Sequence, residues 1–170
     1  MSDYIIKIDF RRCINCGTCE VQCQIQNRLP EKIKLGRLIT GESVSTSGRI
    51  KTTSAFMPCF HCEQPWCVAA CPTQAMVRRV EDGIVYVDQD RCVGCKACII
   101  ACPWQVPQWN EASGKVMKCD YCLDRLADGL TPACVTACAT HALSFGRPDH
   151  DVRKTRNAYA RALCVDKEWL

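Results

Sequence analysis

Residues 82–104 read DGIVYVDQDRCVGCKACIIACPW, and the cysteines in the second half of that stretch decide the fold. Cys92, Cys95 and Cys98 fall on one short loop, and Cys102 follows one helical turn later. Three soft, anionic thiolates so close together suit three corners of an iron–sulfur cube. A fourth cysteine at i+4 is carried toward a second cube. Upstream, Asp82-Gly83 separates two alternating apolar runs, Met76 to Val80 and Ile84 to Val87, which predicts a β-hairpin.

The same spacing recurs on both sides. Of 17 cysteines in 170 residues, all but Cys164 fall into four groups: Cys13, Cys16, Cys19, Cys23; Cys59, Cys62, Cys67, Cys71; Cys92, Cys95, Cys98, Cys102; and Cys119, Cys122, Cys134, Cys138. Each group ends in CxxxC, and two side chains four apart on a helical turn can serve different centres. Text repeats as well: CPTQAM ends the second group and CATHAL ends the fourth, so the chain carries an internal repeat. Residues 29–57 lack cysteine and are rich in β-branched residues broken by Gly41 and by Ser47-Gly48, which predicts an inserted β-hairpin.

Composition narrows the function classes. Cysteine makes up a tenth of the chain and large aliphatics are sparse, so bound metal must supply much of the cohesion, and the metal-free chain is expected to be unfolded or molten. Structural zinc is the competing metal reading, but CxxCxxC crowds a single zinc ion. Disulfides fit poorly, because MSDYIIKIDF has no secretory pattern and reads as a strand with Tyr4, Ile6, Ile8 and Phe10 on one face. A cytoplasmic protein is expected. No run of eighteen apolar residues occurs, so no direct membrane insertion is expected. The formal charge of +4 becomes about −4 once four oxidised cubes at roughly −2 each are counted, which argues against nucleic acid. No dinucleotide fingerprint and no nucleophile–base pair is present, so no catalytic residue is assigned.

The segments RRCINCGTCEVQC, PCFHCEQPWCVAACPTQAM, DGIVYVDQDRCVGCKACIIACPW and KCDYCLDRLADGLTPACVTACATHAL resemble the four-cluster iron–sulfur subunits of molybdopterin and tungstopterin oxidoreductases. That family includes the electron-transfer subunits of dimethyl sulfoxide reductase, formate dehydrogenase and polysulfide reductase. The short length is similar to the small subunits of tungsten aldehyde oxidoreductases and of formate dehydrogenase–hydrogenase assemblies. The resemblance implies an α+β fold of two ferredoxin-like modules, each with two [4Fe-4S] clusters. The outer module would be 1–57 plus 103–146, the inner 58–102, with a tail at 147–170.

The resemblance also implies a crossed ligand set. Cluster 1 would be held by Cys13, Cys16, Cys19 and Cys138; cluster 2 by Cys23, Cys119, Cys122 and Cys134; cluster 3 by Cys59, Cys62, Cys67 and Cys102; cluster 4 by Cys71, Cys92, Cys95 and Cys98. All sixteen are cysteine, with no Trp or Asp substitution of the kind that gives a three-iron cluster in some relatives. The function implied is non-catalytic relay of single electrons between a larger Mo- or W-pterin subunit, docked at cluster 1, and a second partner: a flavoprotein, a hydrogenase or a further iron–sulfur subunit. An independent, diffusing polyferredoxin is the alternative.

Several other residues have two readings. His61 is read as a hydrogen-bond donor to sulfide or backbone rather than a ligand. Trp66, Trp104 and Trp109 are read as packing that keeps water from the cubes. Arg12, Arg91 and Lys118 each precede the first cysteine of a group and could favour the reduced state of a nearby cube. Asp149 to Leu170 is expected to be a short helix or a solvated tail carrying Cys164 as a free thiol.

Overall fold

A computed structural model describes residues 3–44 and 46–147. The expected tail helix and Cys164 lie outside the described residues. In chain order the elements are β1 (Ile5–Ile8), α1 (Thr18–Gln26), β2 (Arg37–Val44), β3 (Ile50–Met57), α2 (Trp66–Ala69), β4 (Met76–Arg78), β5 (Val85–Val87), α3 (Ala97–Ala101), β6 (Gln108–Asn110), β7 (Lys115–Met117), α4 (Leu123–Ala127), α5 (Ala133–Thr136) and β8 (Leu143–Gly146). The strands make four separate two-stranded antiparallel sheets: β1 with β8, β2 with β3, β4 with β5, and β6 with β7.

This order is one half-chain repeated. Each half runs strand, CxxCxxCxxxC group with its helix, hairpin, second cysteine group with its helix, strand. The first half closes with β4 and the second opens with β5. The two halves exchange strands: β4 pairs with β5 across the junction, and β1 pairs with β8, joining the start of one half to the end of the other. Local bonds repeat with the strands. The Asp9 N–H donates to the Ala142 carbonyl at 2.8 Å, as the Asp88 N–H donates to that of Ala75 at 2.7 Å. Asp9 and Asp88 then turn the chain into their cysteine loops by accepting N–H groups of Arg11 and of Asp90 on their carboxylates. That turn ends β1 early, so Phe10, expected on the apolar face with Ile6 and Ile8, is instead 54% exposed.

The apolar cores are small and built around cysteine. One gathers Cys67, Met76, Val85, Cys98 and Val116; its repeat counterpart gathers Phe56, Cys134 and Leu143 with Ile6, Ile8 and Leu38 against them. Val116 on β7 and Phe56 on β3 cover equivalent places, so the two cysteine-free hairpins have one job: each roofs a module. The β2–β3 hairpin matches the insertion expected at 29–57. Gly41 does not break it, since it pairs with Thr53 inside β2, and the chain reverses near Gly48. The β4–β5 hairpin forms around Asp82-Gly83 as expected. The β6–β7 hairpin has no signal in the sequence pattern. Its Trp109 and Val116 pack on the Cys67–Cys98 core, so residues 108–117 lie against the inner module rather than the outer one in which the resemblance puts them.

Candidate metal centres

All four CxxC loops share a backbone device. The residue before the second cysteine has positive φ: Asn15 at 56°, His61 at 44°, Gly94 at 68° and Tyr121 at 60°. A left-handed residue there swings both thiols toward one point, at a cost of about 1–2 kcal/mol where a Cβ is present. Glycine is required at 94 for a further reason: a Cβ would stand 2.3 Å from the Gly114 carbonyl oxygen and 2.7 Å from the Trp109 ring.

Four cavities sit beside these loops, and each is lined by one quartet of cysteines. Cys13, Cys16, Cys19 and Cys138 face the first. Cys23, Cys119, Cys122 and Cys134 face the second. Cys59, Cys62, Cys67 and Cys102 face the third, and Cys71, Cys92, Cys95 and Cys98 the fourth. The structure therefore brings the sixteen thiols together in the four crossed sets. No three His, Cys, Asp or Glu side chains converge closely enough for a single metal ion among the described residues. Four thiols spread around a larger hollow fit the corners of a cube.

The crossing is helical. Cys19 and Cys23 lie on α1, four apart, and face the first and second cavities; Cys134 and Cys138, on and after α5, face the second and first. In the inner module Cys67 and Cys71 face the third and fourth, and Cys98 and Cys102 the fourth and third. One helical turn, about 5–6 Å between Cβ atoms, separates the two cysteines of each CxxxC that serve the neighbouring centres. The modules meet where His61 stacks on its repeat counterpart Tyr121, ring centroids 3.8 Å apart at 37°. The spatial order is thus first, second, third, fourth. The two ends reach solvent at equivalent residues, exposed Cys16 and Cys95.

The electrostatics suit a bound cationic group. Burial pushes the Cys23 and Cys134 thiols up to about 12, and those of Cys19, Cys67 and Cys98 to about 11. Such thiols ionise at neutral pH only when a metal supplies the countercharge. Cys71 and Cys138 differ in the same way. Burial opposes their ionisation, yet N–H groups of Met76 and Leu143 and the hydroxyls of Thr73 and Thr140 outweigh it and lower both thiols. Each sulfur lies 3.8 Å from its threonine oxygen.

The third cavity stands apart. With the open solvent at its rim included, its free space is about 830 Å³, against about 360, 330 and 310 Å³ for the first, second and fourth on the same basis. Trp66 and Trp104 line its mouth but are 62% and 58% exposed, so they do not seal it as the sequence predicted. The loops beside the second and third cavities also differ in length. Eleven residues between Cys122 and Cys134 provide α4, which is tied to α1 by a Gln26 Nε2 to Asp124 Oδ2 hydrogen bond of 3.0 Å. Only four residues separate Cys62 from Cys67. Trp109 does pack inward, with Lys96 over its ring at 4.1 Å.

Of the three cations preceding cysteine groups, Arg12 is exposed and Arg91 is turned to Asp88 at 3.3 Å. Lys118 alone is buried, donating to the carbonyls of Val85 and Cys119. His61 is fully buried and neutral: burial, with Lys118 nearby, holds its imidazole well below the usual range. Its Nδ1 accepts the Val85 N–H at 2.9 Å, which leaves the proton on Nε2.

Comparison with known proteins agrees with this geometry. Two family models, each described as a 4Fe-4S dicluster domain, match residues 52–148 and 12–75. The B subunit of the anaerobic dimethyl sulfoxide reductase of Escherichia coli (strain K12) is 39% identical over 160 residues, covering 90% of this protein and 77% of its own length. The thiosulfate reductase electron transfer subunit PhsB of Salmonella typhi is 41% identical over 150 residues, covering 87% and 78%. The B subunit of the polysulfide reductase of Wolinella succinogenes is 40% identical over 140 residues, covering 81% and 73%.

Proposed function

This chain belongs to the 4Fe-4S dicluster family of reductase electron-transfer subunits, and from that premise we propose how its cysteines are used. It carries four [4Fe-4S] clusters and is an electron-transfer subunit rather than a catalytic one. The four quartets that line the cavities are its ligands, and their spatial order makes a four-station wire. Each cube, when bound, supplies a one-electron centre. The chain supplies thiolates, fixed spacing, and exclusion of water by the two roofing hairpins.

The partner at the first centre is a larger Mo- or W-pterin subunit, and a second redox protein docks at the fourth. The observation that carries this reading is the equivalence of the ends. Cys16 and Cys95 are exposed, each beside a bare apolar residue of its own loop, Ile14 at 66% and Val93 at 66% exposure. Bare apolar side chains beside a centre suit a protein face better than a freely diffusing carrier does. A reducing, cytoplasmic setting suits this density of free thiols. Among the described residues no helix is long and apolar enough to cross a membrane. The hairpin at 108–117 is best counted with 58–102 as the inner module.

The test is co-purification of the iron-loaded chain with its catalytic partner. A lasting complex that contains pterin, with Ile14→Asp weakening it, is the expected result. A monomer that exchanges electrons freely, with or without that change, overturns the reading.

A further inference from the structure

The second and third centres are related by the repeat, so equal surroundings would give them equal potentials. Their surroundings are not equal. Pro58 and Lys118 hold the same place before their cysteine groups, and only one is charged. Lys118 lines the third cavity. It is buried, and among the described residues no carboxylate is ion-paired with it; its bonds go to two carbonyls. A buried ammonium without a paired anion is costly, by several kcal/mol. Anionic thiolates and a cube in the adjoining cavity would offset that cost.

The opposite sign stands on the other side. Asp120 lines the second cavity and accepts the Cys122 N–H at 2.9 Å. Asp120 and Lys118 thus put opposite charges on the two cavity walls, with Lys118 also adjoining Cys119 of the second quartet. Arg125, a cation of the neighbouring helix α4, does not line the second cavity and donates to the Thr131 carbonyl and the Thr136 hydroxyl. The second asymmetry is His61 against Tyr121. His61 also lines the third cavity, and its Nε2–H is buried with no partner among the described residues. A donor fixed in that tautomer by the Val85 N–H is suited to a sulfur of the third centre.

We propose that Lys118 and His61 raise the reduction potential of the third centre above that of the second, with Asp120 lowering the second, so that of these two central stations the electron rests at the Cys59 quartet. Positive charge and hydrogen-bond donors stabilise the more anionic, reduced state of a cube; a carboxylate does the reverse. The inference rests on the quartet assignment proposed above. It makes the middle of the wire a step rather than a plateau: transfer from the second centre to the third is downhill, and Trp66 and Trp104 lie on the wall of the higher-potential station.

The experiment is a redox titration of the iron-loaded full chain, followed by electron paramagnetic resonance, with the third centre identified by the signal altered in Cys62→Ser. Loss of a different signal in that variant counts against the quartet assignment itself. Lys118→Met should reduce the third centre's reduction constant at least tenfold, about 59 mV for one electron, and Lys118→Arg should preserve it. His61→Asn, which keeps an acceptor for Val85 but lacks the far donor, should reduce it several-fold, and His61→Gln should restore it. Asp120→Asn probes the asymmetry from the other cavity, and decides the matter if Lys118→Met does not load; it should raise the second centre and leave the third in place. With iron content at the wild-type level, equal movement of both centres by Lys118→Met, or no movement of the second by Asp120→Asn, overturns the inference and leaves the quartets standing.

Discussion

The loops of the second and fourth cysteine groups are one piece of chain used twice, and they differ mainly in length. Four residues separate Cys62 from Cys67, and eleven separate Cys122 from Cys134. The extra seven build α4, yet the second cavity is walled by Ile6, Phe56 and Pro58 of the other half-chain, while the third has Trp66 and Trp104 on its wall. The lesson is that ligand geometry and solvent access are set by different parts of the chain. The CxxC turn and the CxxxC helix place the thiols in both. What packs over them from elsewhere decides what else reaches the centre.

The comparison breaks altogether if the metal is not structural. Among the described residues, the small cores gathered around cysteine offer little apolar burial of their own. Chelating the iron is expected to abolish cooperative unfolding and to collapse the near-ultraviolet circular dichroism, with both modules lost together. The thiols at about 11 to 12 must shed protons to bind iron. Loading therefore releases protons, and iron retention should fall as the solution is acidified, measurable by iron content after dialysis across pH.

A narrower break concerns the exchange between halves. Cys138 stands in the fourth group but faces the first cavity, and Cys71 stands in the second group but faces the fourth. Cys138→Ser should perturb or lose one centre, that of Cys13, Cys16 and Cys19, and leave the centre of Cys119 and Cys122 intact. Cys71→Ser should spare the centre of Cys59 and Cys62 in the same way. Signals from the wrong centre in either variant would undo the strand-exchanged picture. Deleting residues 124–130 is a gentler change: it leaves Cys-Leu-Thr-Pro-Ala-Cys, the length and proline position of the second group. The second centre should still bleach in air no faster than in the wild type, because Ile6, Phe56 and Pro58 wall its cavity without α4, as followed by visible absorbance.

How much of this is legible in the sequence depends on what fixes each feature. The sixteen cysteines are plain, because thiolate spacing is dictated by the chemistry of the ligand. The β4–β5 hairpin is plain too, because Asp82-Gly83 carries its own turn signal. The β6–β7 hairpin is not, since strands of three residues, Gln108–Asn110 and Lys115–Met117, are too short to show a period. The exposure of Trp66 and Trp104 escapes the sequence for another reason: a large aromatic beside a cysteine loop packs inward only if something covers it, and the local sequence does not say what does. The CPTQAM and CATHAL echo shows a repeat. It does not show that the halves exchange strands, a property of three-dimensional closure.

The finest test of the equivalence lies in those echoing segments. Thr73 and Thr140 sit two residues after Cys71 and Cys138, with hydroxyls 3.8 Å from the sulfurs in both halves. The contact is long for a hydrogen bond, even to sulfur, so its worth is at the low end, about 0.5 kcal/mol. Removing a donor from a thiolate makes the sulfur more electron-rich and the reduced cube less favourable. Thr73→Val should therefore lower the potential of the fourth centre slightly, and Thr140→Val that of the first, by the same small amount in a redox titration. Equal shifts mean that the repeat holds down to single side chains. A shift at one end alone means that the repeat fails at this level, and no shift at either end means that the backbone amides of Met76 and Leu143, rather than the hydroxyls, set the ends of the wire.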